Sequence, residues 1–310
     1  MPYTIAVKAW DAIGIGLVVR DVGVLLDRYP SPDEKMRALE LHESGGGPVP
    51  TALVTLARFG RRTAICGTVG DDDAGRFLLD GLRREKVDAS AVAVRRDFTS
   101  PTSVILVENG RRTILEPPRG VGFPLEWSDV EKLPLEDASA LLIDARVVEV
   151  QARAARMVRK AGGLVVLDCG HPREGVEDLV AESDIAILAH TYPAALHGAD
   201  VDLRAFLESL QPRLPRRGPA IAGVTLGARG CALLSREEGF RQVPAPVVKA
   251  IDTTGAGDVF HGAFLHAFLK TGSVAKSAQF ANAAAARKCE GMTGRAPLPP
   301  EDELWRLASL

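Results

Sequence analysis

The stretch 251-IDTTGAGDVFHGAFLHAFL-269 joins a strand-like run to an apolar helix through four small residues, Thr254 to Gly257, and one aspartate. Phe260, Ala263, Phe264, Ala267 and Phe268 recur at helical spacing and mark a buried face. Glycines at the start of such a helix let the backbone turn tightly and leave its N–H groups uncovered. Those groups, with the positive end of the helix dipole, form a site for an anion. Asp258 follows at once, where a carboxylate repels an anion. A glycine turn before a core helix explains the helix but not the carboxylate. Phosphoryl transfer explains both. In that reading the N–H groups of residues 255–258 are expected to hold the phosphoryl group, and Asp258 to accept the proton of an attacking hydroxyl.

The 310 residues are 46% hydrophobic and 25% charged, enough for one large α/β domain with an appendage or for two domains. A formal net charge of -2 gives no basic footprint for nucleic acid or a membrane surface. Cys66, Cys169, Cys231 and Cys289 are widely spaced and form no CxxC, which suits reduced, buried thiols in the cytoplasm. The opening "MPYTIAVKAWDAIGIG" carries Lys8 and Asp11 in its apolar stretch and reads as a first strand rather than a signal peptide. No apolar run approaches the ~20 residues of a membrane span.

Short apolar runs recur near 13–19, 63–69, 140–145, 164–169, 184–189 and 221–227, several of them continuous rather than alternating. Strands buried on both faces of a parallel sheet have that pattern. Helical patterns lie between them, as at 51–59, 74–84 and 149–160, so a doubly wound α/β fold is expected. Segments 17–43 and 92–116 break the alternation with half-polar strand patterns and a turn at Asn109-Gly110. They are expected to pair into a small sheet covering one edge of the main body.

Other motifs fail on their chemistry. In "GIG" at 14–16 the third glycine of a dinucleotide fingerprint would fall at Val19. "GDDDAGRF" at 70–77 has P-loop glycine spacing, but Arg76-Phe77 stand in place of Lys and Ser/Thr, and three aspartates would repel phosphate. That stretch reads as an acidic helix start. His261 and His266 lie roughly 140° apart around one helix and cannot chelate one metal, so they read as ordinary helix residues. No G-x-S-x-G nucleophile motif is present.

"DTTGAGD" with "VFHGAF" resembles the C-terminal signature of the PfkB (ribokinase-like) carbohydrate kinases, and the order of motifs is similar to that family from about residue 11 to 307. "GIGLVVRD" resembles the first strand with its substrate-binding aspartate, here Asp21. "GGGPVPTALVTLARFG" resembles the N-terminal signature, with a substrate turn at Gly46-Gly47. "VGDDDAGRFLLDGLRREKVD" matches the segment after it, and "NGRRTI" a lid strand. "GVTLGARGCALL" resembles the nucleotide-binding stretch, carrying Thr225, Gly227 and Gly230, and "ANAAAARKCEGMTG" the helix beside the adenine, with Asn282. The resemblance implies one ribokinase-like domain over 1–310, a doubly wound, mostly parallel sheet with helices on both faces and a small β-sheet lid from 17–43 and 92–116. It implies an ATP-dependent sugar kinase with Asp258 as base, Gly255, Ala256 and Gly257 as anion hole, and Asp21, Gly46, Gly47 and Thr51 on the sugar side. Mg²⁺ comes with ATP, Asp252 can help hold a monovalent cation such as K⁺, and a homodimer through the lid is a further expectation.

The chain departs from the family pattern at three places. Thr51 replaces a substrate-side asparagine; it is shorter and lacks the amide's second donor. His190-Thr191-Tyr192-Pro193 stand where an Asn-x-x-Glu motif linked to Mg²⁺ belongs, leaving Asp168 or Asp184 as metal candidates. The carboxyl ends of strands gather ligands in such sheets, which favours Asp168, after "LVVL", although a helix cap or turn role suits it too. The wording "GGGPVPTA" resembles the branch containing sulfofructose kinase. Two other readings stay open: a nucleoside kinase of the same fold, and a sugar- or nucleotide-binding regulator without catalysis. Few aromatics in the lid segments (Tyr29 and Phe98) count against the first, and retention of Asp258 against the second.

Overall fold

The apolar runs become the strands of a buried sheet. A computed structural model describes residues 8–117 and 123–309; the beginning of the expected first strand, at 1–7, lies outside them. In chain order the strands are β1 (Ala12–Ile15), β2 (Val19–Leu25), β3 (Glu40–Gly46), β4 (Thr63–Cys66), β5 (Thr68–Gly70), β6 (Val87–Asp88), β7 (Ala93–Arg95) and β8 (Thr102–Glu108). Then come β9 (Arg111–Leu115), β10 (Ala140–Ile143), β11 (Leu164–Cys169), β12 (Ile185–Ala189), β13 (Ile221–Thr225), β14 (Cys231–Ser235) and β15 (Gly239–Val243). Among the described residues one sheet has nine strands in the order β15-β14-β13-β12-β11-β10-β1-β4-β6. The pairs from β13 to β6 are parallel, and β14 and β15 extend one edge antiparallel.

Helices cover both faces. On one side pack α1 (Pro48–Arg58), α2 (Asp73–Arg84), α8 (Ala256–Thr271), α9 (Val274–Lys288) and α10 (Glu301–Ala308). On the other pack α3 (Trp127–Val130), α4 (Val148–Lys160), α5 (Val176–Glu182), α6 (Thr191–His197) and α7 (Leu203–Leu210). Along β11, Leu164 and Val166 enter the first layer, Val165 and Leu167 the second. Both sets are buried, which is why the run is continuous rather than alternating.

The run at 13–19 is not one strand. β1 ends at Ile15, Leu17 donates its N–H to Asp144 Oδ2 at 2.8 Å, and Val19 opens β2 in a different sheet. The run at 63–69 likewise divides at Gly67, where a Cβ would lie 2.7 Å from the Gly16 carbonyl oxygen. Chain order along the sheet reverses at β1, with β4 on one side and β10 on the other. That reversal opens a crevice at the carboxyl ends, the usual ligand position in such sheets.

The second sheet has the order β3-β2-β8-β9, with Asn109 and Gly110 at positive φ (47° and 74°) in the β8–β9 turn. β7, which lies in the segment expected to join this sheet, pairs with β5 instead. Asp21, Ser103, Ile105 and Val107 share the inward face; Ser103, Ile105 and Val107 are buried. The outward face carries the cross-strand row Leu41, Val24, Leu106 and the next row Val22, Val104, Leu115. Among the described residues no helix is long and apolar enough to cross a membrane.

Candidate active site

The start of α8 is built by a left-handed residue. Gly255 has φ 69° and ψ 5°, and a Cβ there would lie 2.6 Å from the carbonyl oxygen of Gly294, so the position needs glycine on both counts. The N–H groups of Gly257 and Asp258 find no backbone acceptor among the described residues, while that of Ala256 makes a long contact of 3.3 Å with Thr253 O. A Cβ on Gly257 would meet nothing within 4 Å. The helix start thus presents open space and free donors, the geometry of an anion site.

Asp258 occupies the first turn. Burial pushes its carboxyl well above the usual carboxylate range, and His261, Arg112, Arg295 and Lys288 draw it back toward the charged form. Arg112 belongs to β9 and reaches across to the loop before α8, donating from Nη1 to Thr253 O at 2.6 Å and Thr253 Oγ1 at 2.8 Å. The second sheet is thereby tied to the anion loop.

Asp21, on β2, faces the same cleft. Its carboxyl is pushed up to about 7 by burial and by the charge of Asp258, against the pull of Arg295. The end of β3 passes so close that a Cβ on Gly46 would lie 2.0 Å from Asp21 Oδ2, and one on Gly47 (φ 97°) the same distance from Leu17 O. Thr51 is buried in α1, and its Oγ1 accepts from Arg295 Nε at 3.4 Å. Arg295 also donates from Nη2 to Gly46 O at 3.2 Å, and burial pulls its guanidinium down to about 10. Asp21, Gly46, Gly47 and Thr51 therefore come together around one arginine.

Thr225 ends β13, where its carbonyl accepts from His190 N at 3.0 Å. The turn after it closes through Leu226 N–H to Gly230 O at 2.7 Å; Gly227 (φ 60°) borders open space, and a Cβ on Gly230 (φ 85°) would lie 2.0 Å from Val243 O. Asn282 is buried, and its Nδ2 donates to Val243 O and Pro244 O at 3.0 and 3.2 Å, fixing the chain that leaves β15.

At 190–193 the chain offers no carboxylate. Thr191 Oγ1 bonds Gly170 O at 2.5 Å, and Tyr192 and Pro193 are buried. Asp168, at the carboxyl end of β11, keeps its side chain 17% exposed and lies 3.2 Å from His261 Nδ1. Burial raises its carboxyl, as does the nearby Asp258. Asp184 sits before β12 at the opposite end of the sheet, where its Oδ2 accepts Val165 N–H at 2.9 Å. Among the described residues no three His, Cys, Asp or Glu side chains form a metal-binding group.

Four side chains at this site escaped the sequence reading of roles: Arg112, His261, Lys288 and Arg295. His261 is almost fully buried, with Nε2 2.9 Å from Ile187 O and Nδ1 2.8 Å from Gly257 O as well as near Asp168. It is not an ordinary helix residue, whereas His266 lies apart with Arg61 and Glu301. Lys288 had a visible signal: it follows Ala281 and Ala284 at helical spacing on a buried stripe, an unfavourable place for an unpaired charge.

The profile of the pfkB family carbohydrate kinases matches residues 12–300. Ribokinase of Mus musculus is 28% identical over 269 residues, covering 83% of this chain and 81% of that one. Aminoimidazole riboside kinase of Salmonella typhimurium is 30% identical over 290 residues (84% and 86%), and ATP-dependent ribose-1-phosphate kinase of Halopiger xanaduensis is 27% identical over 297 residues (94% and 95%). Arabidopsis thaliana ribokinase, in its structure with ribose and ATP, superposes with a TM-score of 0.78 at 22% identity over 97% of this chain and 99% of that one. The ribokinase of Thermotoga maritima gives 0.79 at 23% identity (97% and 100%). At these identities the superpositions establish the fold.

Proposed function

Because the chain belongs to the pfkB family of carbohydrate kinases, ATP-dependent enzymes that phosphorylate hydroxyl groups, we propose that the crevice at the carboxyl ends of β1 and β10 transfers the γ-phosphoryl group of ATP to a hydroxyl of a ribose-type sugar unit. The observation that carries this reading is the pairing of Asp258 with the free N–H groups of its own helix turn. The ribose-type unit is suggested by the names of three relatives, which act on ribose, aminoimidazole riboside and ribose 1-phosphate.

In this reading the acceptor hydroxyl lies against Asp258, which takes its proton as the oxygen attacks phosphorus. The N–H groups of Gly255, Gly257 and Asp258, with Ala256 beside them, hold the transferring oxygens. Arg112 adds positive charge and brings the second sheet over the site as a lid that excludes water. Ionised Asp21 accepts hydrogen bonds from other sugar hydroxyls. Gly46 and Gly47 let the sugar approach the backbone, and Arg295 fills the space beside the short Thr51. Thr225, Gly227, Gly230 and Asn282 line the nucleotide side.

A divalent cation fits the acidic groups here, because Asp168 and Asp258 each face the crevice and the charge of Asp258 raises Asp168. Asp168 would hold it together with the ATP phosphates, and the ion, Mg²⁺ in this proposal, would neutralise phosphate charge. The outward rows Leu41-Val24-Leu106 and Val22-Val104-Leu115 suit a second copy of the chain packed lid to lid; Leu41 and Leu115 are 68% and 54% exposed. Four free, buried cysteines accord with a cytoplasmic protein.

The test is ADP release with MgATP on a panel of pentoses, ketoses, aldoses, sugar phosphates, sulfosugars, keto-deoxy acids and nucleosides. Turnover confined to ribose-type acceptors is expected. Turnover of hexoses or sulfosugars alone would overturn the substrate class, and nucleotide binding without turnover of any acceptor would overturn the kinase reading.

A further inference from the structure

Lys288, the last residue of α9, has no solvent exposure, and its Nζ donates to the backbone carbonyl of Asp252 at 2.7 Å. Asp252 is itself buried, and both carboxylate oxygens hold backbone N–H groups: Oδ1 takes Thr254 at 2.8 Å and Oδ2 takes Thr293 at 2.9 Å. One residue thus clamps two loops. Residues 252–255 lead into the anion hole, and 291–294 pack against it, with Gly294 under Gly255. The ammonium sits inside this clamp, and its charge draws Asp258 toward the ionised form. Burial alone disfavours a charged lysine, so the carbonyl and the surrounding aspartates must compensate for it.

Resemblance to the family implied a monovalent cation beside Asp252. The Asp252 carbonyl is already bonded to the Lys288 ammonium, and both carboxylate oxygens are engaged. These residues do not fit a further positive ion. An ammonium group and a potassium ion carry the same charge and are close in size, but the ammonium is covalently fixed and needs no ion from solution.

We infer that Lys288 Nζ is a tethered cation that replaces a bound monovalent ion, holding the Asp252 carbonyl and the 252–255 loop so that the anion hole stays formed without K⁺. The inference rests on the kinase reading, and its test separates the two. MgADP binding is measured by calorimetry, and turnover by ADP release, in a K⁺-free N-methylglucamine buffer with KCl then added. The wild-type protein is expected to bind MgADP equally well at both ends of the titration, with turnover constant to within about twofold. Absence of MgADP binding in either buffer would defeat the kinase reading itself. Binding or turnover that rises more than about tenfold with K⁺ would overturn the tethered cation alone.

Lys288→Met keeps the length of the side chain and removes the charge. MgADP affinity should fall about tenfold or more, as expected when a buried charged hydrogen bond is lost, and KCl should restore much of it while LiCl does not. A Lys288→Met protein that binds MgADP as tightly as wild type without K⁺ would overturn the inference, as would a loss that no cation repairs. Should the variant fail to fold, the wild-type KCl titration still decides.

Discussion

The two ends of the nine-stranded sheet both carry buried aspartates, and they use them differently. At the amino end, Asp184 accepts Val165 N–H, with Arg159 Nε 3.9 Å away. Its carboxyl is pushed up to about 6 by burial, and the residue is buried with its Oδ2 already holding a backbone N–H. At the carboxyl end, Asp258, Asp168 and Asp21 converge on a crevice beside the uncovered N–H groups of α8, the imidazole of His261 and the cations Arg112, Lys288 and Arg295. Burial raises the carboxyls at both ends. A raised aspartate therefore does not mark chemistry by itself; free backbone donors and gathered charge do.

Breaking the anion hole should give the largest effect at the carboxyl end. Gly257→Val is expected to abolish turnover while circular dichroism and melting stay near wild type, because a Cβ there enters open space rather than the core. Global unfolding of this variant would instead make the loop structural.

Asp21 comes next. Its folded carboxyl titrates at about 7 against an ordinary 3.8, so the folded protein holds this proton more tightly than the unfolded chain. The stability it contributes is full below about pH 4 and is lost as pH rises through about 7. Asp21→Asn removes that loss: its melting temperature should exceed wild type at about pH 8, with the gap closing toward about pH 4. In turnover, kcat/KM of the wild type should rise with pH through about 7 as the acceptor carboxylate forms. The variant should lose the share of this limb that belongs to Asp21, leaving that of Asp258, and show a KM for sugar raised by about tenfold or more.

A smaller effect is expected on the metal. With no glutamate at 190–193, the rate should require Mg²⁺ absolutely but saturate at higher free Mg²⁺ than in relatives with the full motif. Asp168→Asn should raise the half-saturating level about tenfold further. Full activity in EDTA would contradict the assignment. The smallest effect on catalysis belongs to the other end of the sheet: Asp184→Ala should cost about 1–3 kcal/mol of stability by orphaning Val165 N–H, and leave kcat nearly unchanged. A large loss of kcat there would erase the contrast between the ends.

The sequence carried the fold well where burial alone decides it. The runs at 164–169 and 221–227 hold the strands β11 and β13 because both faces are covered, and their composition says so. The run at 13–19 misled because Gly16 to Val18 turn out of the sheet toward Asp144, a partner 127 residues away from Leu17. The α8 start was legible because its chemistry is local: glycine conformation, helix N–H groups and the next carboxylate all lie within five residues. The surrounding cations were not. Arg295 meets Thr51 across 244 residues of chain, and Arg112 meets Thr253 across 141. Such contacts exist only once two sheets and two helix layers have assembled.

The central claim is that Asp258 removes the proton of the acceptor hydroxyl. Asp258→Asn preserves the shape and hydrogen-bonding reach of the side chain but not the base. With the best acceptor of the panel at saturation, kcat should fall by roughly 10²–10⁴ while MgATP affinity by calorimetry holds or improves, since a negative charge beside the phosphates is gone. Near-normal kcat in a folded Asp258→Asn protein would contradict the account.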